Sequence, residues 1–139
     1  MILLDTSGLL AALFGDQRHH AEAAAALLRA QPPLLLSPFV LAELDYLVCK
    51  LAGVEVELEL LADVAREAYT LASFGPAQVE EARRVIAEHA DLGIGLADAS
   101  LVVLARAFDC REVLTLDQRH FRAVRGPRGR PFRLLPADT

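Results

Sequence analysis

The feature that most constrains this chain is a set of short apolar runs, several of which end on a carboxylate or a hydroxyl. Ile2-Leu3-Leu4 ends at Asp5, Leu34-Leu35-Leu36 ends at Ser37, and Glu112-Val113-Leu114-Thr115-Leu116 ends at Asp117. Tyr69-Thr70-Leu71 and Phe132-Arg133-Leu134-Leu135 are two further candidates. Apolar stretches this short and this continuous read as strands buried on both faces. The segments between them are longer and helical in pattern. A helix is expected over 8–14, with Thr6 and Ser7 as capping residues. The alanine-rich stretch 19–30 is a second, stopped by Pro32-Pro33. Ser37 then caps a helix with Pro38 at its first position, running to Gly53. Further helices are expected over 54–67, from Gly75-Pro76 to about Ala90, and over 96–108, with a Gly/Pro/Arg loop at 125–131. Short buried strands alternating with helices imply a parallel sheet covered by helices on both faces.

A chain of 139 residues fits one domain, expected to span 1–139, and its 54% apolar content excludes a disordered acidic tail. No apolar run reaches the roughly 18 residues of a membrane span, so no membrane association is expected. The start, Met-Ile-Leu-Leu-Asp-Thr, lacks the basic segment of a signal peptide, and a cytoplasmic location follows as an expectation. Cys49 and Cys110 are isolated, without CxxC spacing, and read as reduced thiols.

Net charge is −5, but it is unevenly distributed. Residues 1–118 hold 8 Lys+Arg against 18 Asp+Glu, whereas residues 119–139 hold six arginines against Asp138 alone. A basic strip beside an acidic region can grip phosphate even when total charge is negative. The plainer reading of the same arginines is that they keep an apolar chain soluble.

Most acidic residues lie on amphipathic helices and face solvent by default. Four sit in apolar company. Asp5 and Asp117 end strands, and ligands of open parallel sheets bind outside the carboxyl ends of the strands. Glu43 has Val40 and Leu47 at i−3 and i+4, which places it along an apolar stripe, with Asp45 on the solvent side. Asp98 lies in a helix first turn, with Leu101, Val102 and Ala105 on its face. An acid there also complements the helix dipole, which is a sufficient structural reason for it taken alone. Buried carboxylates are costly unless paired, and no Lys or Arg lies at helical spacing on the Glu43 face. Four such acids at one sheet edge point to a divalent cation, and an all-oxygen set suits Mg²⁺ or Mn²⁺ rather than Zn²⁺. Phosphoryl transfer is then the first reaction class to consider.

Four blocks resemble the PIN-domain family: Ile2-Leu3-Leu4-Asp5-Thr6-Ser7, Pro38-Phe39-Val40-Leu41-Ala42-Glu43-Leu44, Leu96-Ala97-Asp98-Ala99-Ser100-Leu101, and Val113-Leu114-Thr115-Leu116-Asp117-Gln118-Arg119-His120-Phe121. Each block is weak by itself. Their order, and acid spacings of 38, 55 and 19 residues, are fairly specific, and the resemblance covers the whole chain. The VapC toxins of type II toxin–antitoxin pairs are the group it is most similar to. The resemblance implies a three-layer α/β/α sandwich with a five-stranded parallel sheet and a metal-dependent endoribonuclease activity. It makes Asp5, Glu43, Asp98 and Asp117 the metal-binding and catalytic acids. It also places Thr6 or Ser7, and Thr115, at hydroxyl positions able to orient ligands. Arg119, Arg122 and Arg125 follow closely on Asp117 in the chain and are expected to contact substrate phosphates beside the acids. Asp91, just before the third block, reads as a loop or capping residue.

Gly93-Ile94-Gly95 is a lone GxG and reads as a turn, and His19, His20, His89 and His120 show no metal spacing and read as surface residues. The start lacks the second aspartate of a DxDxT phosphatase. Lys50, the only lysine, is too early for a response-regulator receiver. A catalytically inactive PIN-fold module that binds RNA or protein is the alternative. Leu51, Val54, Leu58, Leu60 and Leu61, with a mean hydropathy of +0.34, suggest an exposed apolar patch. The resemblance implies a homodimer, for which such a surface is suited, and a cognate antitoxin protein bound in a groove beside the active site.

Overall fold

The computed structural model describes residues 1–139. The elements run β1 (Ile2–Leu4), α1 (Thr6–Leu13), α2 (His20–Arg29), β2 (Leu34–Leu36), α3 (Pro38–Ala52), α4 (Val54–Ala65), β3 (Thr70–Leu71), α5 (Pro76–Glu88), α6 (Leu96–Phe108), β4 (Glu112–Leu114), α7 (Gln118–Ala123) and β5 (Arg133–Leu135). The five strands form one sheet in the order β3-β2-β1-β4-β5, and every pairing is parallel. All three residues of β1 are buried, as expected of a central strand covered on both faces. The architecture is the α/β/α sandwich with the five-stranded parallel sheet that the resemblance implies.

The path of the chain creates the site. From β1 it steps outward to β2 and β3, then crosses back to enter β4 on the other side of β1. Loops leaving β1 and β4 therefore diverge, and the crevice between them is the switch point where open parallel sheets bind ligands. Leu3 pairs with Val113 and Leu4 with Leu114, so Asp5 and Thr115 leave the sheet side by side. The backbone N–H of Asp5 donates to the Leu114 carbonyl at 3.0 Å.

Gly8 lets α1 sit against this edge. A Cβ at Gly8 would lie 2.2 Å from the Leu114 carbonyl oxygen and 2.7 Å from the Thr115 nitrogen. Only a residue without a side chain permits that approach.

Three local expectations need correction. Thr6 and Ser7 do not cap α1: Asp5 is the N-cap, and both hydroxyls point sideways to other partners. Regular β4 stops at Leu114, not Leu116, because Thr115 turns its hydroxyl toward Asp5 (2.6 Å) and accepts the Asp117 N–H (2.9 Å). Asp117 does not end a strand but caps α7, a helix with no counterpart among the expected elements. Its side chain accepts the His120 N–H at 3.3 Å. Ser37 does cap α3, accepting the Phe39 N–H at 3.2 Å, with Pro38 in the first turn. No helix is long and apolar enough to cross a membrane. Leu51, Val54, Leu58 and Leu61 are exposed on α3 and α4, while Leu60 turns into the core.

Candidate active site

Asp5 stands at the floor of the crevice and is 4% exposed. Its Oδ2 accepts from the Thr115 hydroxyl at 2.6 Å and the Ser7 hydroxyl at 2.9 Å. The Ser7 oxygen in turn accepts the Leu116 N–H at 3.0 Å, so hydroxyls from α1 and from the loop after β4 hold one carboxylate. Burial is the main influence on its pKa, which is pushed from 3.8 up to about 6; the hydrogen bonds oppose the rise and the Asp98 charge adds to it.

Glu43 approaches from α3, and the Thr6 hydroxyl donates to its Oε1 at 2.7 Å. The helix buries Val40, Leu44 and Val48, a stripe centred on Leu44. Glu43 is one residue, or about 100°, from that centre and is exposed, contrary to its expected place along the apolar stripe. Asp45, on the opposite flank, was expected in solvent but is half-buried, with Oδ1 shielded and without a hydrogen-bond partner. The Val40 and Leu47 neighbours misassigned the face, because Leu47 flanks the stripe rather than defining it.

α3 and α6 are joined near their N-terminal ends by two fully buried hydroxyls, Ser37 and Ser100, 2.7 Å apart. Ser100 also lies 2.6 Å from the Ala97 carbonyl, to which it donates. This link sets Asp98, on the first turn of α6, opposite Glu43. The Asp98 pKa is raised, first by burial and then by the Asp117 and Glu43 charges, against a lowering hydrogen bond from His120. Asp98 thus feels both Glu43 and Asp117, and Asp5 feels Asp98. The four acids named from sequence share one electrostatic environment.

His120 was expected at the surface and lies inside this group instead. Its Nδ1 is 2.7 Å from Asp98 Oδ2 and 3.1 Å from Asp117 Oδ2, and its Nε2 is 3.1 Å from the Leu92 carbonyl oxygen. A ring protonated on both nitrogens satisfies acceptors on both sides. Its pKa is raised, chiefly by the hydrogen bond to Asp98. The available signal was a capping Asp with a His three residues later, a pair that one helical turn brings together. It was not recognisable without α7.

The arginine-rich end is also different from a free basic strip. Arg122 pairs with Asp138 at 2.6 and 2.8 Å, Arg128 and Arg130 with Asp109, and Arg133 with Glu112. Arg119 and Arg125 are exposed and form no ion pair. Of the three arginines proposed for phosphate contact, Arg122 is therefore already engaged. Asp91 lies exposed in a short 3₁₀ turn.

The donor set fits a hard divalent cation. Ligand atoms of Asp98, Asp117 and His120 all lie within 4.8 Å of one another. With both His120 nitrogens committed to oxygen acceptors, the groups left to meet a cation are carboxylate oxygens, the preferred ligands of Mg²⁺ or Mn²⁺.

Comparison with known proteins agrees with this architecture. The PIN domain family model matches residues 2–127. Ribonuclease VapC26 of Mycobacterium tuberculosis is 42% identical over 135 residues, covering 97% of this chain and all of that protein. The crystal structure of Mycobacterium tuberculosis VapC20, described as a sarcin–ricin loop cleaving toxin, superposes with a TM-score of 0.78 at 19% identity. It covers 85% of this chain and 91% of that one. With its acids gathered at the β1/β4 switch point, a family match over most of its length and a relative similar end to end, the chain belongs to the PIN domain family.

Proposed function

We propose that this protein is an endoribonuclease, the toxin of a type II toxin–antitoxin pair, and that its activity depends on Mg²⁺ or Mn²⁺. The observation that carries the proposal is the set Asp5, Glu43, Asp98 and Asp117, brought from four separate segments to one crevice with no Lys or Arg paired to any of them. The similarity to Ribonuclease VapC26 along the whole chain supports RNA as the substrate. The catalytic unit spans residues 1–139.

Asp98 and Asp117, with Asp5 and Glu43, would hold the cation. When bound, such an ion neutralises charge at the scissile phosphate and lowers the pKa of water. The chain's own groups do the positioning. Thr115 and Ser7 fix the Asp5 carboxylate, Thr6 fixes Glu43, and His120 ties Asp98 and Asp117 to each other and to the Leu92 carbonyl. Asp117, the more open of the two bridged carboxylates, is placed to accept a proton from the attacking water. Hydrolysis then breaks one P–O bond of the RNA backbone. Arg119 and Arg125 remain free to meet phosphates flanking that bond.

The protein acts in the cytoplasm. The exposed row Leu51, Val54, Leu58 and Leu61 supports a homodimer and a cognate antitoxin as its protein partners. Incubating single-stranded RNA with the protein and Mg²⁺, with and without EDTA, tests the activity. Cleavage that EDTA removes is expected, and Asp5→Asn, Glu43→Gln, Asp98→Asn and Asp117→Asn each abolish or severely reduce it. RNA binding without cleavage in any divalent ion would identify an inactive binding module instead.

A further inference from the structure

A cleft of about 280 Å³ opens beside the acids. His19 and Glu22 form one side, Thr115, Leu116 and Gln118 another, and Pro136 borders it from the C-terminal segment. Thr115 is shared between cleft and active site, because its hydroxyl bonds Asp5 and accepts the Asp117 N–H. Gln118 directly follows Asp117. A nucleotide whose phosphate meets the acids therefore has this cleft within reach of an adjoining base.

The lining suits a base rather than a phosphate. No Arg or Lys contributes to it, and its one carboxylate, Glu22, repels anions. Leu116, Pro136 and the flat imidazole of His19 offer surfaces for stacking, the usual way single-stranded RNA bases are held.

The polar groups also have neighbours within the fold. His19 adopts a left-handed backbone conformation (φ 62°), uncommon for a residue with a side chain, and its Nδ1 lies 3.4 Å from Glu22 Oε2. The neighbouring His20 ties this turn to α1 through a 2.8 Å contact between Nδ1 and the Ala11 carbonyl. On the opposite wall, Gln118 Oε1 accepts from Arg122 at 3.2 Å, and Asp138 holds Arg122 in place. The Gln118 amide is thereby oriented with its NH₂ donors free.

The cleft thus offers two carboxylate acceptors and an amide donor. Guanine alone among the RNA bases presents two adjacent donors, N1–H and the N2 amino group, next to the O6 acceptor. Carboxylate pairing with two parallel N–H groups is the strong, geometrically selective form of hydrogen bonding. We propose that this cleft is a guanine-recognition subsite for single-stranded RNA, with Glu22 reading N1–H and N2 and Gln118 reading O6. The proposal rests on the ribonuclease reading for its substrate class.

Inosine keeps O6 and N1–H but lacks the N2 amino group, which makes it the deciding probe. Hexaribonucleotides with one guanosine or one inosine among uridines are titrated by fluorescence anisotropy. The titrations use the Asp98→Asn protein, alone and with Glu22→Gln or Gln118→Ala added; circular dichroism confirms that each variant is folded. The expected result is about tenfold tighter binding of guanosine than inosine to the parent, the size of one charge-assisted hydrogen bond. Glu22→Gln should collapse that ratio toward one, and Gln118→Ala should weaken both ligands and preserve the ratio. A parent ratio near one, or a ratio indifferent to Glu22→Gln, overturns the subsite. Wild-type cleavage of the same oligonucleotides with Mg²⁺ is scored separately. Cleavage without a guanosine preference in binding removes the subsite alone, and a Glu22-dependent preference without cleavage removes the nuclease alone.

Discussion

His120 Nδ1 lies 2.7 Å from Asp98 Oδ2, joining a side chain from α7 to one from the first turn of α6. The same nitrogen is 3.1 Å from Asp117 Oδ2, and the Leu92 carbonyl anchors the far side of the ring. A partner of this kind fixes carboxylate orientation, and its loss typically reduces metal affinity or activity by about 10–100-fold. His120→Ala is therefore expected to lower kcat/KM by about that factor while the fold persists. The Mg²⁺ concentration for half-maximal activity should shift as well. Unchanged Mg²⁺ dependence would show that the ring does not position these acids.

Asp5 makes stability depend on pH in a definite direction. Its folded pKa of about 6 exceeds the ordinary 3.8, so the folded protein holds a proton that the unfolded chain has released. The Asp5 contribution therefore falls as pH rises from 3.8 to about 6, and is level above that, an effect of about 3 kcal/mol. The raised pKa of His120 acts in the same sense above its ordinary 6.5. Without divalent ions, Asp5→Asn should be more stable than wild type at pH 7.5 and similar near pH 4. Chemical denaturation at both pH values measures this. In the same variant cleavage should be lost, so stability and activity move in opposite directions.

Gly8→Ala tests the close approach of α1 to β4. The added methyl would fall 2.2 Å from the Leu114 carbonyl oxygen, which belongs to backbone and cannot rotate away. Overpacking of this kind costs about 1–3 kcal/mol or more. A clear drop in melting temperature is expected. Cleavage should also fall, because the displaced Leu114–Thr115 segment carries the hydroxyl that holds Asp5.

The arginines divide into two groups with different expected effects. Arg119→Ala and Arg125→Ala remove exposed cations with no acidic partner, and should weaken RNA binding and flatten its salt dependence. Arg122 is held by Asp138, whose pKa is lowered to about 2 first by that hydrogen bond. Arg122→Ala should chiefly loosen the C-terminal segment that Asp138 ties to the Leu134 N–H (2.8 Å), with a loss of no more than about 1 kcal/mol for so exposed a pair. Titrating RNA at several salt concentrations, together with thermal melts, separates the two behaviours.

Much of this protein was legible in the order of its residues. Runs as short as Ile2–Leu4 and Leu34–Leu36, apolar at every position and bounded by breaks, read as strands covered on both sides, and helices between them point to parallel pairing. The four acids stood out for a related reason: a carboxylate among apolar neighbours needs a partner, and none was near in sequence. Local pattern could not decide which side chains meet. Glu43 and Asp45 differ by about 200° around one helix, and only the packing of α3 against the sheet determined which was exposed. Thr6 and Ser7 satisfied a capping pattern, yet their hydroxyls serve Glu43 and Asp5 because β4 and α3 lie beside them. His120 and the ion pairs of Arg122, Arg128, Arg130 and Arg133 likewise arose from contacts between distant segments. The placement of strands and helices along the chain follows from the chemistry of neighbouring residues; strand order, the exposed face of a helix, and hydrogen bonds and ion pairs between remote side chains depend on where the folded backbone sets them.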